Sequence, residues 1–166
     1  MTKLNQTKKK TKREAIGFAG AGSVLAIVFG ILLWLEPMAD ANATEIMVYK
    51  SPTCGCCRDW VDHLRDEGFK VVTHDRNNMD AIKSTYGVKR NLQSCHTAVV
   101  DGYVVEGHVP ASDIKRMLQE KPKIVGLTAP GMPLKSPGMQ PASEKPAGYD
   151  VLSFDQQGKT QVYKRY

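Results

Sequence analysis

In CHTAVVDGYVVEGHV, residues 95–109, two β-branched runs flank Asp101-Gly102. Asp-Gly favours the positive φ angles of a two-residue turn, so this stretch is a strong hairpin signal. Such a turn also sets a register. Val100 then faces Tyr103, Val99 faces Val104, and further out Cys95 faces His108. Facing side chains share one side of a sheet, with Cβ atoms about 5 Å apart. A thiol and an imidazole so placed suit two ligands of one metal ion. A slip of one residue would send them to opposite faces.

The elements around the hairpin follow from periodicity and breakers. EIMVY, residues 45–49, reads as a short buried strand ended by Ser51-Pro52-Thr53. A helix is predicted from about Cys56 to Asp66, with Trp60, Val61 and Leu64 on its core face and Gly68 as its stop. FKVVT, residues 69–73, is a second strand, and Asn78 to Tyr86 a second helix stopped by Gly87. Ser112 to Glu120 makes a last helix before Pro122. The order β-α-β-α-β-β-α, a parallel front half followed by an antiparallel hairpin, is that of an α/β thioredoxin-like sheet. In such sheets sites gather beyond the carboxyl ends of the parallel strands. Residues 124–148 are rich in Pro, Gly and Met, contain PGM twice, and are expected to lack regular structure. Residues 149–166 read as a C-terminal hairpin around Gln157-Gly158.

The first 43 residues have a different character. Six Lys and Arg precede an uncharged run of 21 residues, Ala15 to Leu35, and Ala41-Asn42-Ala43 offers a small-x-small cleavage site. A run that long also suffices for an uncleaved membrane anchor, so signal peptide and anchor both stay open. Either places residues 44–166 outside the cytoplasm, with the membrane touched only through the N-terminal segment. That remainder, with 17 basic and 14 acidic residues, has too mild a charge to argue for nucleic acid.

Export sharpens the meaning of SPTCGCC, residues 51–57, because idle thiols are oxidised in such compartments. Cys54, Cys56, Cys57 and Cys95 allow three disulfide pairings. Cys54 and Cys57 have the CxxC redox spacing. Three thiols crowded at a helix start have no packing rationale, and a helix N-terminus favours thiolates. In the expected topology the hairpin's open end lies beside that helix, so Cys95, His96 and His108 converge on Cys54, Cys56 and Cys57. His96 faces away from Cys95 if the strand is regular there. Four thiols and one or two imidazoles suit a soft or borderline metal, Cu(I) or Zn(II). Met132 and Met139, in PGMP and SPGM, add weight toward copper, since thioether is a good Cu(I) ligand and a poor zinc one. Their bland alternative is packing of the loop onto the core. His63 and His74 read as residues outside the site.

YKSPTCGCCRDWVDHLRDEGF, SCHTAVVDGYVVEGHVPASDI and GLTAPGMPLKSPGM, in that order, resemble three blocks of a bacterial metal-binding family, domain of unknown function 411. That family includes the CopG-like periplasmic copper-resistance proteins. The resemblance covers roughly residues 46–140. It implies a thioredoxin-like fold, a periplasmic location and copper bound by the cysteine cluster as more than one Cu(I) ion. By position it implicates Cys54, Cys56, Cys57, Cys95, His96, His108, Met132 and Met139. Copper ions, and through them other periplasmic copper-handling proteins, are the expected partners. Three activities stand open: holding Cu(I) in copper resistance, a copper-linked redox reaction, and thiol–disulfide exchange. Only copper binding uses Cys56, Cys95 and His108 together with the CxxC pair.

Overall fold

The alternation on either side of Asp101-Gly102 closes as the turn requires. Asp101 and Gly102 take φ of 47° and 81°. Strands β3 (Thr97–Val100) and β4 (Tyr103–Glu106) pair antiparallel, Val100 with Tyr103 and Thr97 with Glu106. The computed structural model describes residues 43–166, so the signal or anchor segment lies outside the described residues. Among the described residues no helix is long and apolar enough to cross a membrane.

Around this hairpin the chain builds a mixed α/β fold with a seven-stranded sheet. The order is β2-β1-β3-β4-β5-β6-β7. Strand β1 (Glu45–Lys50) runs parallel to β2 (Lys70–Asp75) and antiparallel to β3. Between β1 and β2 lies helix α1 (Gly55–Asp66), which buries Cys57, Trp60, Val61 and Leu64, one helical stripe. Helix α2 (Met79–Thr85) starts at Asn78, whose side chain accepts a 3.0 Å hydrogen bond from the Ala81 amide, an N-cap. Helix α3 (Ala111–Glu120) follows Pro110 directly and ends at Lys121 with φ 47°, one residue before Pro122. Ile46, Val48, Trp60, Leu64, Ile114, Met117 and Leu127 have no exposed surface and form the core. Burying each such side chain contributes about 1.5–3 kcal/mol before entropy is counted.

The stretch expected to be irregular is corrected in part. Gly126–Thr128 forms strand β5, parallel to β4 and antiparallel to β6 (Asp150–Phe154), which pairs with β7 (Thr160–Arg165). Periodicity cannot show a three-residue strand. Its neighbours supply it, because β4 leaves an unpaired edge and Gly126 carries no side chain. A Cβ at Gly126 would meet the Val104 carbonyl oxygen at 1.8 Å. The terminal hairpin thus completes the main sheet. Tyr166 donates a 2.9 Å hydrogen bond to buried Asp113 of α3 and stacks on Tyr149 at 5.2 Å.

Residues 129–148 remain irregular but are pinned. The Ala129 amide donates to Glu106 O, Gly131 to Gln93 O, and Gly148 to Tyr166 O, at 3.0, 3.0 and 2.7 Å. Replacing Gly126 with Ala should force β5 off β4 and cost about 3 kcal/mol, read as a lower urea midpoint with unchanged slope.

Candidate metal centre

The site forms where β1 ends, α1 begins and the β3–β4 hairpin opens. Ser51 to Cys54 turn the chain out of β1, the Cys54 amide donating to Ser51 O at 3.1 Å. Cys54 is the N-cap residue of α1, and no side chain caps that end. The sulfurs of Cys54, Cys56, Cys57 and Cys95 all lie within 4.8 Å of one another. So do ligand atoms of Cys95, His96 and His108. Cys95 belongs to both groups and joins them.

Cys54 and Cys57 are joined by a disulfide, while Cys56 and Cys95 are free thiols. In this state two of the four sulfurs are unavailable as thiolates, so the full four-thiolate set needs that bond reduced. Cys56 Sγ lies 3.6 Å from Cys54 Sγ.

The hairpin register carries outward past the strands to the site. Gly107 donates to His96 O at 3.0 Å, and Cys95 Sγ lies 3.0 Å from His108 Nε2. His96 departs from strict alternation. Strand β3 begins only at Thr97, so Cys95 sits in a bend and its Sγ is also 3.3 Å from His96 Nδ1. Both imidazoles therefore meet one thiol. Each is fully buried, His96 packed on Trp60 at 4.2 Å between ring centroids.

Tautomers follow from the partners. The Pro137 carbonyl can only accept, so His108 Nδ1 carries its proton and donates to it at 2.8 Å. The lone pair of His108 Nε2 is left facing Cys95, the arrangement that readies a histidine for a metal. His96 Nε2 is buried with no hydrogen-bond partner among the described residues.

Burial keeps these groups uncharged. It pushes the Cys95 thiol up to about 12, and nearby Cys56 adds to the rise. It lowers His96 well below the ordinary 6.5, with further lowering from His108 and Lys83. His108 is lowered by burial against the opposing hydrogen bond to Pro137. The ease of thiolate formation expected at the helix start does not extend to Cys95, which belongs to the hairpin. A metal binding there must displace a tightly held proton.

The Pro/Gly/Met-rich loop reaches the site through its backbone. Pro137 O holds His108, and Gly138, at φ 82°, lies against the first turn of α1. A Cβ on Gly138 would stand 2.6 Å from the Trp60 nitrogen and 2.8 Å from Cys56 O. The Ser94 hydroxyl donates to Gly131 O, tying the other PGM segment beside Cys95. Met132 is 57% exposed and Met139 half-buried. Their segments rim the cluster.

His63, read as lying outside the site, has a structural task. Its Nε2 accepts from the Ala111 amide at 3.1 Å and so ties α1 to α3. A cleft of about 550 Å³ between α1 and residues 137–146 contains none of the sulfur donors. Lys83, Glu106 and Trp60 were not legible as neighbours of the cluster. The signal for Glu106 was a lone charge in an otherwise apolar strand.

A mixed α/β protein with sulfur and imidazole donors converging at one end of the sheet is, as a class, a candidate metal-binding protein. The family described as a protein of unknown function, DUF411, matches residues 92–139. Two solved structures, described as copper resistance protein copG, form 1 and form 2, are each 44% identical to the chain. Each match covers 75% of this chain and 98% of the other, with TM-scores of 0.68 and 0.69. No curated protein matches the chain. The chain belongs to the DUF411 family of CopG-like copper-resistance proteins.

Lowered imidazole affinities set a pH dependence. As pH falls below 6.5 the unfolded chain takes up these protons first. Their stabilisation is present in full above that value and lost below it, at no more than about 1.4 kcal/mol per pH unit for each imidazole. Denaturation midpoints of the metal-free disulfide form should fall between about pH 7 and 5, and less steeply in His108→Gln. Comparing the two chains cancels the opposing contribution of Glu106, whose burial raises its carboxyl. Equal slopes would mean that His108 does not titrate in this range.

Proposed function

We propose that this chain is a periplasmic copper-binding protein that holds Cu(I) in a multinuclear cysteine-thiolate cluster, serving copper resistance. The observation that carries this reading is the convergence of four sulfurs on one point, with the two imidazoles gathered at Cys95. Soft thiolates select Cu(I), and neutral imidazoles complete its coordination without adding charge. The solved relatives are described as copper resistance proteins, which favours copper over zinc. We infer a thioredoxin-like arrangement of the first four strands. Its support is the order β2-β1-β3-β4 and the CxxC pair beyond the carboxyl end of β1.

In this reading Cys54, Cys56, Cys57 and Cys95 would hold the coppers as thiolates once an external dithiol, itself oxidised to a disulfide, has reduced the Cys54–Cys57 bond. His96 and His108 bind at the hairpin side, and Met132 and Met139 close the rim as thioether ligands. The Cys54–Cys57 disulfide lends support to a second reading, thiol–disulfide exchange. That reading leaves Cys95, His96 and His108 without a task.

Anaerobic titration of the reduced chain with Cu(I) separates the two. We expect about two or more tightly held coppers per chain, thiols blocked against alkylation, and protons released as Cys95 is loaded. Little copper uptake beside a reversible dithiol–disulfide couple would favour exchange. Cys95→Ser should lower copper per chain, and full retention would make Cys95 a structural residue. Met132→Ala and Met139→Ala should each weaken Cu(I) retention against a competing chelator by about tenfold if the thioether is a ligand. Unchanged retention would remove that methionine from the site. In a Trp34→Phe background, copper should quench Trp60, which packs on His96.

A further inference from the structure

Glu106 has no exposed surface, yet it lies in β4 only two residues before His108. A buried carboxylate is tolerated only when paired and fully hydrogen-bonded. Here it is both. Its Oε1 accepts from Lys83 Nζ at 2.5 Å and from the Ser94 amide at 2.7 Å. Its Oε2 accepts from Thr97 Oγ1 at 2.6 Å. Lys83 is itself buried, and its Nζ also donates to Thr97 Oγ1 at 3.2 Å. Three donors from α2, from the bend before β3 and from β3 thus meet on one side chain of β4.

Stability alone does not call for such a network, since an apolar pair of similar volume commonly serves as well or better. One of its bonds does what an apolar pair cannot. Strand pairing between β3 and β4 begins at Thr97, so Cys95 lies beyond the strand ladder. The Ser94 amide, one residue before Cys95, is held by the Glu106 carboxylate. Of the other ties on this segment, the Ser94 hydroxyl and the Gln93 carbonyl run to Gly131 in the loop, the Leu92 carbonyl accepts from Thr128 of β5, and the His96 carbonyl accepts from the Gly107 amide. Glu106 therefore anchors the Cys95 bend to the sheet on the side of Ser94, as the His96–Gly107 bond does on the other.

We infer that Glu106, paired with Lys83, is a positioning residue of the metal centre: it holds the Ser94–Cys95 bend so that the Cys95 sulfur meets the other three sulfurs and both imidazoles. The inference rests on the cluster being the Cu(I) site, but its first readout needs no copper.

Three substitutions in the full chain test it. Lys83→Met with Glu106→Met removes the network without leaving a lone charge. Glu106→Asp keeps the carboxylate near Lys83 but draws it back from the Ser94 amide. Glu106→Gln keeps an oxygen at the same reach and is the conservative control. In the disulfide form, with labelled sites mapped by mass, Cys95 should react with iodoacetamide at least about tenfold faster in the double variant and in Glu106→Asp. Glu106→Gln leaves Lys83 without its counter-charge and should lower the denaturation midpoint, yet the folded protein should label Cys95 at close to the wild-type rate. After reduction, copper per chain and the sulfur-to-copper absorption band should fall to the level of Cys95→Ser in the first two variants only.

Wild-type labelling and loading in a folded double variant, or in Glu106→Asp, would overturn the inference. Equal losses in Glu106→Gln would overturn it too, by showing that charge rather than reach is what matters. Should the variants not fold, hydrogen exchange in the wild type decides: a Ser94 amide exchanging as fast as exposed loop amides would show that no anchor exists. A chain that labels as expected but takes up no Cu(I) sinks the copper reading and leaves the positioning intact.

Discussion

Asp101 and Gly102 reverse the chain within two residues, and every pairing outward from that turn inherits its register. Thr97 is thereby set against Glu106, His96 against Gly107, and Cys95 beside His108. The same hairpin lies against β1 on one side and β5 on the other. Its open end therefore stands next to the point where β1 delivers Cys54 to α1. Because side chains alternate with a period of two, a slip of one residue would turn Cys95 away from His108. The register of one turn thus governs both the core and the candidate metal-binding cluster.

Burial then decides the chemistry of that cluster. His96 and His108 are buried, and burial disfavours their charged forms. The same cost keeps the Cys95 proton in place near neutral pH. Neutral imidazoles with lone pairs and thiols waiting to lose protons are poor material for surface electrostatics. They suit a soft cation, which replaces the protons and compensates the sulfur charge as it forms. Glu106 and Lys83 show the alternative solution, in which a buried charge is met by an opposite charge and a full set of hydrogen bonds. The two arrangements lie side by side, and one supports the other.

The chain after α3 contributes more than its composition suggests. Strand β5 caps the open edge of β4, and the terminal hairpin covers β5 in turn. Between them, the irregular loop returns over the site, where Pro137 O orients His108 and Gly138 packs on α1. Truncating the chain after α3 would strip three strands from the sheet as well as the PGM segments, so the methionines can be judged only by point substitution.

Much of this is legible in the amino-acid sequence. The Asp101-Gly102 turn, the Trp60-Val61-Leu64 stripe, the Gly87 stop and the crowding of Cys54, Cys56 and Cys57 are local signals, carried by residues a few positions apart. Local signals specify local structure because turn angles and periodicity depend on neighbours in the chain. The turn even placed Cys95 against His108, since an antiparallel register is set by the turn that starts it. What only the tertiary structure decided depends on residues far apart in sequence. It turned His96 toward Cys95 by starting β3 at Thr97, made a strand of Gly126–Thr128, and brought Pro137 to His108 and Lys83 to Glu106. No periodicity encodes these contacts. Each exists because a buried polar group or an open sheet edge had to find a partner, and only the packed chain determines which one lies within reach.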